Sequence, residues 1–168
     1  MSYVTAPLSA AHKKRDFNCG KPMLDSYLHT QAKQDVKRKL SACFVLADDD
    51  NNVKGYYTLS SAVIQRDLLP EDLRKKLPPS YNDLPTTLLG WLAVDRNYQG
   101  QKLGELLLMD ALKRSLGVSQ EVGSMAVIVD PIDDGAINFY KKFDFIPLPD
   151  SGKMFLPMVS VAEILSTH

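Results

Sequence analysis

Apolar residues recur at Leu24, Tyr27, Leu28, Ala32, Val36 and Leu40 within an otherwise polar run, and this spacing predicts an amphipathic helix over 23–40 with one buried stripe. The pattern then changes. Residues 42–46 form a short apolar run closed by Asp48-Asp49-Asp50-Asn51-Asn52, and 55–59 follow with β-favouring Tyr56, Tyr57 and Thr58, so the two runs read as a hairpin. Pro70, Pro78, Pro79 and Pro85 make 64–87 a long connection holding one short helix, 70–77, which begins with proline and acids and ends with Arg74, Lys75 and Lys76. Connections longer than about 12–15 residues are often functional, which makes this one a candidate wall of an acceptor site, with a plain surface loop as the equal alternative. Residues 88–94 and 125–129 are nearly continuous apolar runs, the mark of buried strands. Between them, 103–116 places Leu103, Leu106, Leu107, Ala111 and Leu112 on one helical side. After Asp130-Pro131, 133–142 reads as a helix and 143–148 and 154–158 as strands. Strand, helix, strand, helix, strand in this order predicts an α/β protein with helices packed on a mixed sheet.

Composition narrows the class. With 168 residues, 45% hydrophobic and 24% charged, the chain has the size and mix of one globular domain over 1–168. No run reaches the roughly 18 apolar residues of a membrane helix, and 1–10 lacks a basic patch followed by an apolar core, so no membrane partner and a cytoplasmic location are expected. Cys19 and Cys43 are too few for a disulfide framework, and His12, His29 and His168 are scattered, so reduced thiols and no metal are expected. Cys19 reads as a buried thiol, since no motif places a base beside it. The net charge of zero argues against a dedicated nucleic-acid domain. Yet 11–40 holds Lys13, Lys14, Arg15, Lys21, Lys33, Lys37, Arg38 and Lys39 against Asp16, Asp25 and Asp35, a net of +5. RNA binding would have to use this patch; a solvated helix face is the other reading.

The chemistry is concentrated in Leu92-Ala93-Val94-Asp95-Arg96-Asn97-Tyr98-Gln99-Gly100-Gln101-Lys102-Leu103-Gly104-Glu105. A buried strand runs into a polar, glycine-containing turn that opens an amphipathic helix, so unpaired backbone N–H groups and the positive helix end converge where a phosphate can sit. Neither G-x-G-x-x-G nor G-x-x-x-x-G-K-[ST] is present, which removes the dinucleotide and phosphate-loop readings. The turn resembles motif A of the GNAT superfamily of acetyl-CoA-dependent N-acetyltransferases, Arg/Gln-x-x-Gly-x-Gly/Ala, with Gln99 and Gly104 at its ends. Ala136-Ile137-Asn138-Phe139-Tyr140-Lys141-Lys142-Phe143-Asp144-Phe145 resembles the family's later helix, A-x-x-F-Y-x-x-x-G-F. Within the superfamily the chain is similar to the branch containing tRNA-acetylating toxins of toxin–antitoxin pairs. The matching segments are Phe17-Asn18-Cys19-Gly20, Leu24-Asp25-x-Tyr27-Leu28, Gly55-Tyr56-Tyr57-Thr58-Leu59-Ser60, the proline-rich insertion and Leu89-Gly90-x-Leu92-Ala93-Val94-Asp95.

The resemblance implies a central mixed, mostly antiparallel sheet of about six to seven strands flanked by helices on both faces, with acetyl-CoA as cosubstrate. It implies that Leu92, Ala93 and Val94 run beside the pantetheine arm, one backbone N–H polarising the thioester carbonyl. Gln99, Gly100, Gln101, Lys102, Leu103, Gly104 and Glu105 would hold the pyrophosphate by backbone N–H groups. Asp133, Ala136 and Tyr140, at i, i+3 and i+7, would share one side of a helix, with Tyr140 reaching the sulfur. A neutral primary amine would attack directly. Tyr140 would be the general acid, because a phenol of pKa about 10 stays protonated at neutral pH, and an α-amino group of pKa about 8 needs no strong base. From residue type alone Tyr140 reads as a core aromatic beside Phe139 and Phe143. Aminoacyl-tRNA leads as acceptor; a small amine, peptide or protein terminus is the alternative, and a CoA-binding or partner-binding module without turnover is the third reading. An antitoxin protein is an implied partner, and a homodimer stays open. The chain departs from the pattern at Lys102 and Asp144, where the motifs have glycine, at Asp133 for asparagine, and at Trp91, where the toxin branch usually carries arginine. Lys102 would either crowd the turn or add a cation beside it.

Overall fold

The computed structural model describes residues 2–167, and His168 lies outside them. Seven strands, β1 (Ala6–Pro7), β2 (Ala42–Ala47), β3 (Val53–Gln65), β4 (Asp83–Val94), β5 (Ala126–Val129), β6 (Ile146–Pro147) and β7 (Met154–Pro157), form one sheet in the order β1-β2-β3-β4-β5-β7-β6. The pairs β1/β2, β2/β3, β5/β7 and β6/β7 are antiparallel. The helices are α1 (Pro22–Ser26), α2 (Ala32–Lys37), α3 (Glu71–Arg74), α4 (Leu103–Glu121), α5 (Asp134–Lys142) and α6 (Met158–Thr167). This is the mixed α/β architecture that the alternation of patterns predicts. Close packing groups the described residues into two compact units, 2–60 with 89–111, and 61–88 with 112–167.

In the first unit the predicted long helix is interrupted. Between α1 and α2 the segment Tyr27–Gln31 is π-helical, and the N–H of Ala32 donates to the carbonyl of Tyr27. The apolar stripe still points inward, with Leu24, Tyr27, Leu28 and Ala32 buried. Leu40 is the exception, 62% exposed, because the helix has already ended: Leu40 N–H donates to Asp35 C=O (2.9 Å) and Lys39 N–H to Val36 C=O (3.2 Å), with Lys39 left-handed at φ 62°. That is a Schellman cap, and it turns Leu40 out to solvent. The hairpin forms as expected, its turn organised by Asp48, whose carboxylate accepts from the N–H groups of Asp50 (2.9 Å) and Asn52 (2.8 Å). Those bonds hold the Asp48 carboxyl below its usual pKa. At Gly55 a side chain would collide with Leu107, whose Cδ1 lies 2.8 Å from the position a Cβ would take, so glycine lets α4 approach β3 closely.

In the second unit β5 and β7 are almost wholly buried, and Ile64, Leu69, Leu84, Ala126, Ile128, Leu148 and Phe155 form the core. The long connection is shorter than its prolines suggest, because β3 continues to Gln65 and β4 begins at Asp83. It is also pinned: the Arg66 guanidinium donates to the carbonyls of Pro78 (2.6 Å), Arg74 (2.8 Å) and Leu77 (3.1 Å). The strand expected over 143–148 shrinks to Ile146–Pro147, since 143–145 cap α5. The helix α6 and the short edge strand β1 carry no periodic signal strong enough to predict them.

Candidate active site

In the first unit β4 ends at Val94 and the chain enters the turn through Asp95, which is 5% exposed and caps a single 3₁₀ turn, Arg96–Tyr98, by accepting from Asn97 N–H at 2.9 Å. The Lys54 ammonium lies 4.9 Å from the centre of the Tyr98 ring. Gly100 and Lys102 then take left-handed conformations, φ 82° and 62°, and α4 opens at Leu103. A Cβ at Gly100 would meet nothing within 4 Å, so the backbone there is open to a ligand. The first N–H groups of α4 have no partner within the helix, which gives the turn the donors an anion needs. The carboxamide nitrogen of Gln99 is committed to the protein, donating to Cys19 C=O and Val94 C=O, each at 2.9 Å.

Lys102 explains its own oddity. Lys102, where the motif has glycine, takes a left-handed φ of 62°, a conformation glycine adopts without strain, and its side chain is exposed. The same holds at Asp144, φ 69°. Leu92 and Val94 are half-buried and Ala93 is buried at the end of β4; Gly100 and Gln101 are exposed; Leu103, Gly104 and Glu105 are half-buried.

An open groove of about 620 Å³ in the same unit is lined by residues including Asn18, Gly20, Asp25, His29, Thr30 and Arg96. Sequence reasoning did not single out His29, Thr30 or Arg96 for a site; the only available signal was that Arg96 sits inside the turn that follows β4. Lys13, Arg15, Lys33, Lys37, Arg38 and Lys39 are exposed and Lys14 is half-buried. Cys19 and Cys43 are free, buried thiols, pushed up by burial to about 11 and about 12 respectively, which leaves neither as a thiolate nucleophile.

In the second unit Asp133 is the N-cap of α5, its carboxylate accepting from Ala136 N–H at 2.8 Å. Ala136 is half-buried. Tyr140 is buried near the other end of the helix, its ring 5.3 Å from Phe139 and 5.2 Å from Phe145. Its hydroxyl has no hydrogen-bond partner among the described residues, and burial pushes its pKa upward, which keeps the phenol protonated. The core-aromatic reading of Tyr140 fits its burial beside Phe139 and Phe145.

A seven-stranded mixed sheet with helices packed on it, and a glycine-containing turn that opens α4, suit an acyl-group transferase. The chain belongs to the acetyltransferase (GNAT) family, whose model matches residues 11–145, and is an acetyl-CoA-dependent acetyltransferase. It is 37% identical over 147 residues, 86% of either chain, to a tRNA-acetylating toxin of Mycobacterium tuberculosis. Among solved structures it is similar to AtaT complexed with acetyl-methionyl-tRNAfMet, at TM-score 0.88 and 30% identity, covering 95% of this chain and 97% of that one. It is likewise similar to a mutant AtaT toxin bound to acetyl-CoA and the C-terminus of the antitoxin AtaR, at TM-score 0.81 and 27% identity, covering 98% of each. No helix among the described residues is long and apolar enough to cross a membrane.

Proposed function

We propose that the chain acetylates the α-amino group of aminoacyl-tRNA and is the toxin of a toxin–antitoxin pair, with an antitoxin protein as its partner. The observation that carries this reading is the likeness to a tRNA-acetylating toxin over 86% of both chains. The exposed cations of 11–40 support it, since they give a neutral protein a local excess of positive charge that phosphates could use. The family match runs from 11 to 145 and so includes residues of both compact units, which supports one functional domain over 1–168. Charged tRNA and reduced, buried thiols both suit the cytoplasm.

The residues present fit the cosubstrate. Open backbone at Gly100 and the free donors opening α4 suit a pyrophosphate, with Gln99, Gly100, Gln101, Lys102, Leu103, Gly104 and Glu105 supplying N–H groups. Leu92, Ala93 and Val94 offer the end of β4 to the amides of the pantetheine arm, and a backbone N–H there stabilises the developing oxyanion. Ala136 would suit close passage of the arm because its side chain is small, and Asp133 caps the same helix by accepting from Ala136 N–H. The amine nitrogen forms its bond to the acetyl carbon as the carbon–sulfur bond breaks. Tyr140 gives its hydroxyl proton to the departing sulfur and recovers one from solvent, while the new amide loses its extra proton to water.

The test offers radiolabelled acetyl-CoA to charged tRNA and to a panel of amines and peptides at two ionic strengths. Label on charged tRNA, falling steeply with salt, is the expected result. A small-amine or peptide acceptor is the second reading, favoured by the net charge of zero; label confined to those compounds, without salt dependence, establishes it instead.

A further inference from the structure

The Phe17-Asn18-Cys19-Gly20 loop is far from the cofactor turn in sequence, 80 residues separating Cys19 from Gln99, yet the two are joined by a set of specific bonds. Asp95 Oδ2 accepts from Asn18 N–H at 3.0 Å while Oδ1 accepts from Asn97 N–H at 2.9 Å. Arg96 N–H donates back to Asn18 C=O at 2.8 Å, and the Gln99 carboxamide closes the joint on Cys19 C=O at 2.9 Å. Asp95 N–H is itself held by Lys54 C=O at 2.8 Å. A nearly buried carboxylate with a backbone donor on each oxygen defines geometry strictly, because each charge-assisted bond is short and directional and neither partner is free to rotate away.

One side chain thereby determines two things. Through Asn97 it sets where the 3₁₀ turn begins, and hence the path of the backbone through Gln99 to Gly104. Through Asn18 it holds the loop that helps line the groove with His29, Thr30 and Arg96. Backbone N–H groups bind an anion well only when they are already aimed at it, since ordering a loose turn at the moment of binding consumes affinity. We infer that Asp95 is a positioning residue for acetyl-CoA: it aims the donors of the turn by bracing them against Asn18, with Gln99 as a second clasp. This rests on the proposed reading that the turn holds the pyrophosphate.

Asparagine at 95 keeps the shape but points an amide donor at one of two N–H donors, and methionine at 99 keeps the length but donates nothing. Acetyl-CoA is titrated calorimetrically into the full chain and into Asp95→Asn and Gln99→Met, and steady-state KM and kcat are measured on whichever acceptor the wild type labels. The expected result is affinity for acetyl-CoA weakened about tenfold by Asp95→Asn and about threefold by Gln99→Met, the effect appearing in KM with kcat nearly kept. A residue that only supports the fold would instead lower the melting temperature and the active fraction at unchanged KM. Gln99 is exposed, so Gln99→Met carries the test if Asp95→Asn fails to fold. Folded variants that bind acetyl-CoA like the wild type, or that lose kcat at constant KM, overturn the inference alone. A wild type that binds no acetyl-CoA overturns the reading of the turn, and the inference with it.

Discussion

The ring of Trp91 lies against that of Tyr27, 4.9 Å between centres and 22° between planes, and the Tyr27 hydroxyl donates to Asp35 at 2.8 Å. Tyr27 in turn faces Tyr56, which meets Phe17 edge-on at 5.6 Å. The position where the toxin branch usually carries an arginine is thus used here to extend an aromatic stack, and the missing charge is the cost. Trp91→Ala should destabilise the chain by about 2 kcal/mol, the scale of removing a half-buried aromatic with its stacking partner. Urea unfolding measures it, and a change under about 0.5 kcal/mol would show that the stack contributes nothing beyond surface packing.

Lys102→Gly should stabilise the fold by about 0.5–1 kcal/mol, since glycine relieves a left-handed residue at a modest entropic loss. Lys102→Ala retains the strain and should bring no gain. Asp144→Gly should gain less, because aspartate tolerates the left-handed region better. Thermal melts of the three variants separate conformational strain from removal of the lysine charge.

Tyr140→Phe should lower turnover by about 10²-fold, the usual scale for a positioned general acid, with acetyl-CoA affinity unchanged. Its hydroxyl has no partner among the described residues, so stability should not fall with its removal. Equal turnover in the two proteins would reject the assigned role.

Changing Lys37, Arg38 and Lys39 together to glutamine should sharply weaken acetylation of charged tRNA and leave acetyl-CoA binding unchanged. Each phosphate deprived of its cation should flatten the logarithmic salt dependence by about 0.7–0.9. An unaltered salt slope would place the tRNA elsewhere.

Alkaline pH should unfold the chain. Cys19 and Cys43 are pushed by burial to about 11 and about 12 from 9.0, and burial also raises Tyr27, Tyr56 and Tyr140 above 10.0. Below about pH 8.5 both folded and unfolded chains keep these protons, and the groups add no pH dependence. Above it the unfolded chain sheds them first, so stability declines through the range up to about pH 12. Melting temperatures recorded from about pH 7 to about pH 10.5 should be flat and then fall; a flat profile throughout would contradict the burial of these groups.

The central strands β2 to β5, α4 and α5 were legible because their apolar patterns are clear in the sequence, and the turn was legible because glycine and a helix start leave a strong local mark. What stayed hidden is non-local. The π-helical step at Tyr27–Gln31 leaves the apolar spacing intact and shows only in the bond from Ala32 to Tyr27. The glycine-to-lysine departure at 102 reads as a question of space or charge around a phosphate, and the structure adds a left-handed backbone at that position that the sequence does not announce. Gln99 was readable as a member of the motif, but its grip on Cys19 depends on a partner that no local window contains. Arg66 likewise looks like an ordinary surface cation until the carbonyls of the proline-rich segment close around it.

Gly55 makes room for Leu107, and that helix carries Asp110, a buried residue whose carboxylate accepts from Val4 N–H at 2.8 Å and from the hydroxyls of Thr5 and Tyr57. The close approach of α4 to β3 thus brings an anion into the interior beside the strand partner of β2. A protease that severed the chain just after Thr5 would strand that anion with part of its solvation removed, a far heavier penalty than the removal of a few exposed residues would suggest. Fusions and affinity tags placed ahead of Val4 therefore adjoin a keystone, and their junctions should be chosen to leave the Val4 and Thr5 donors in place.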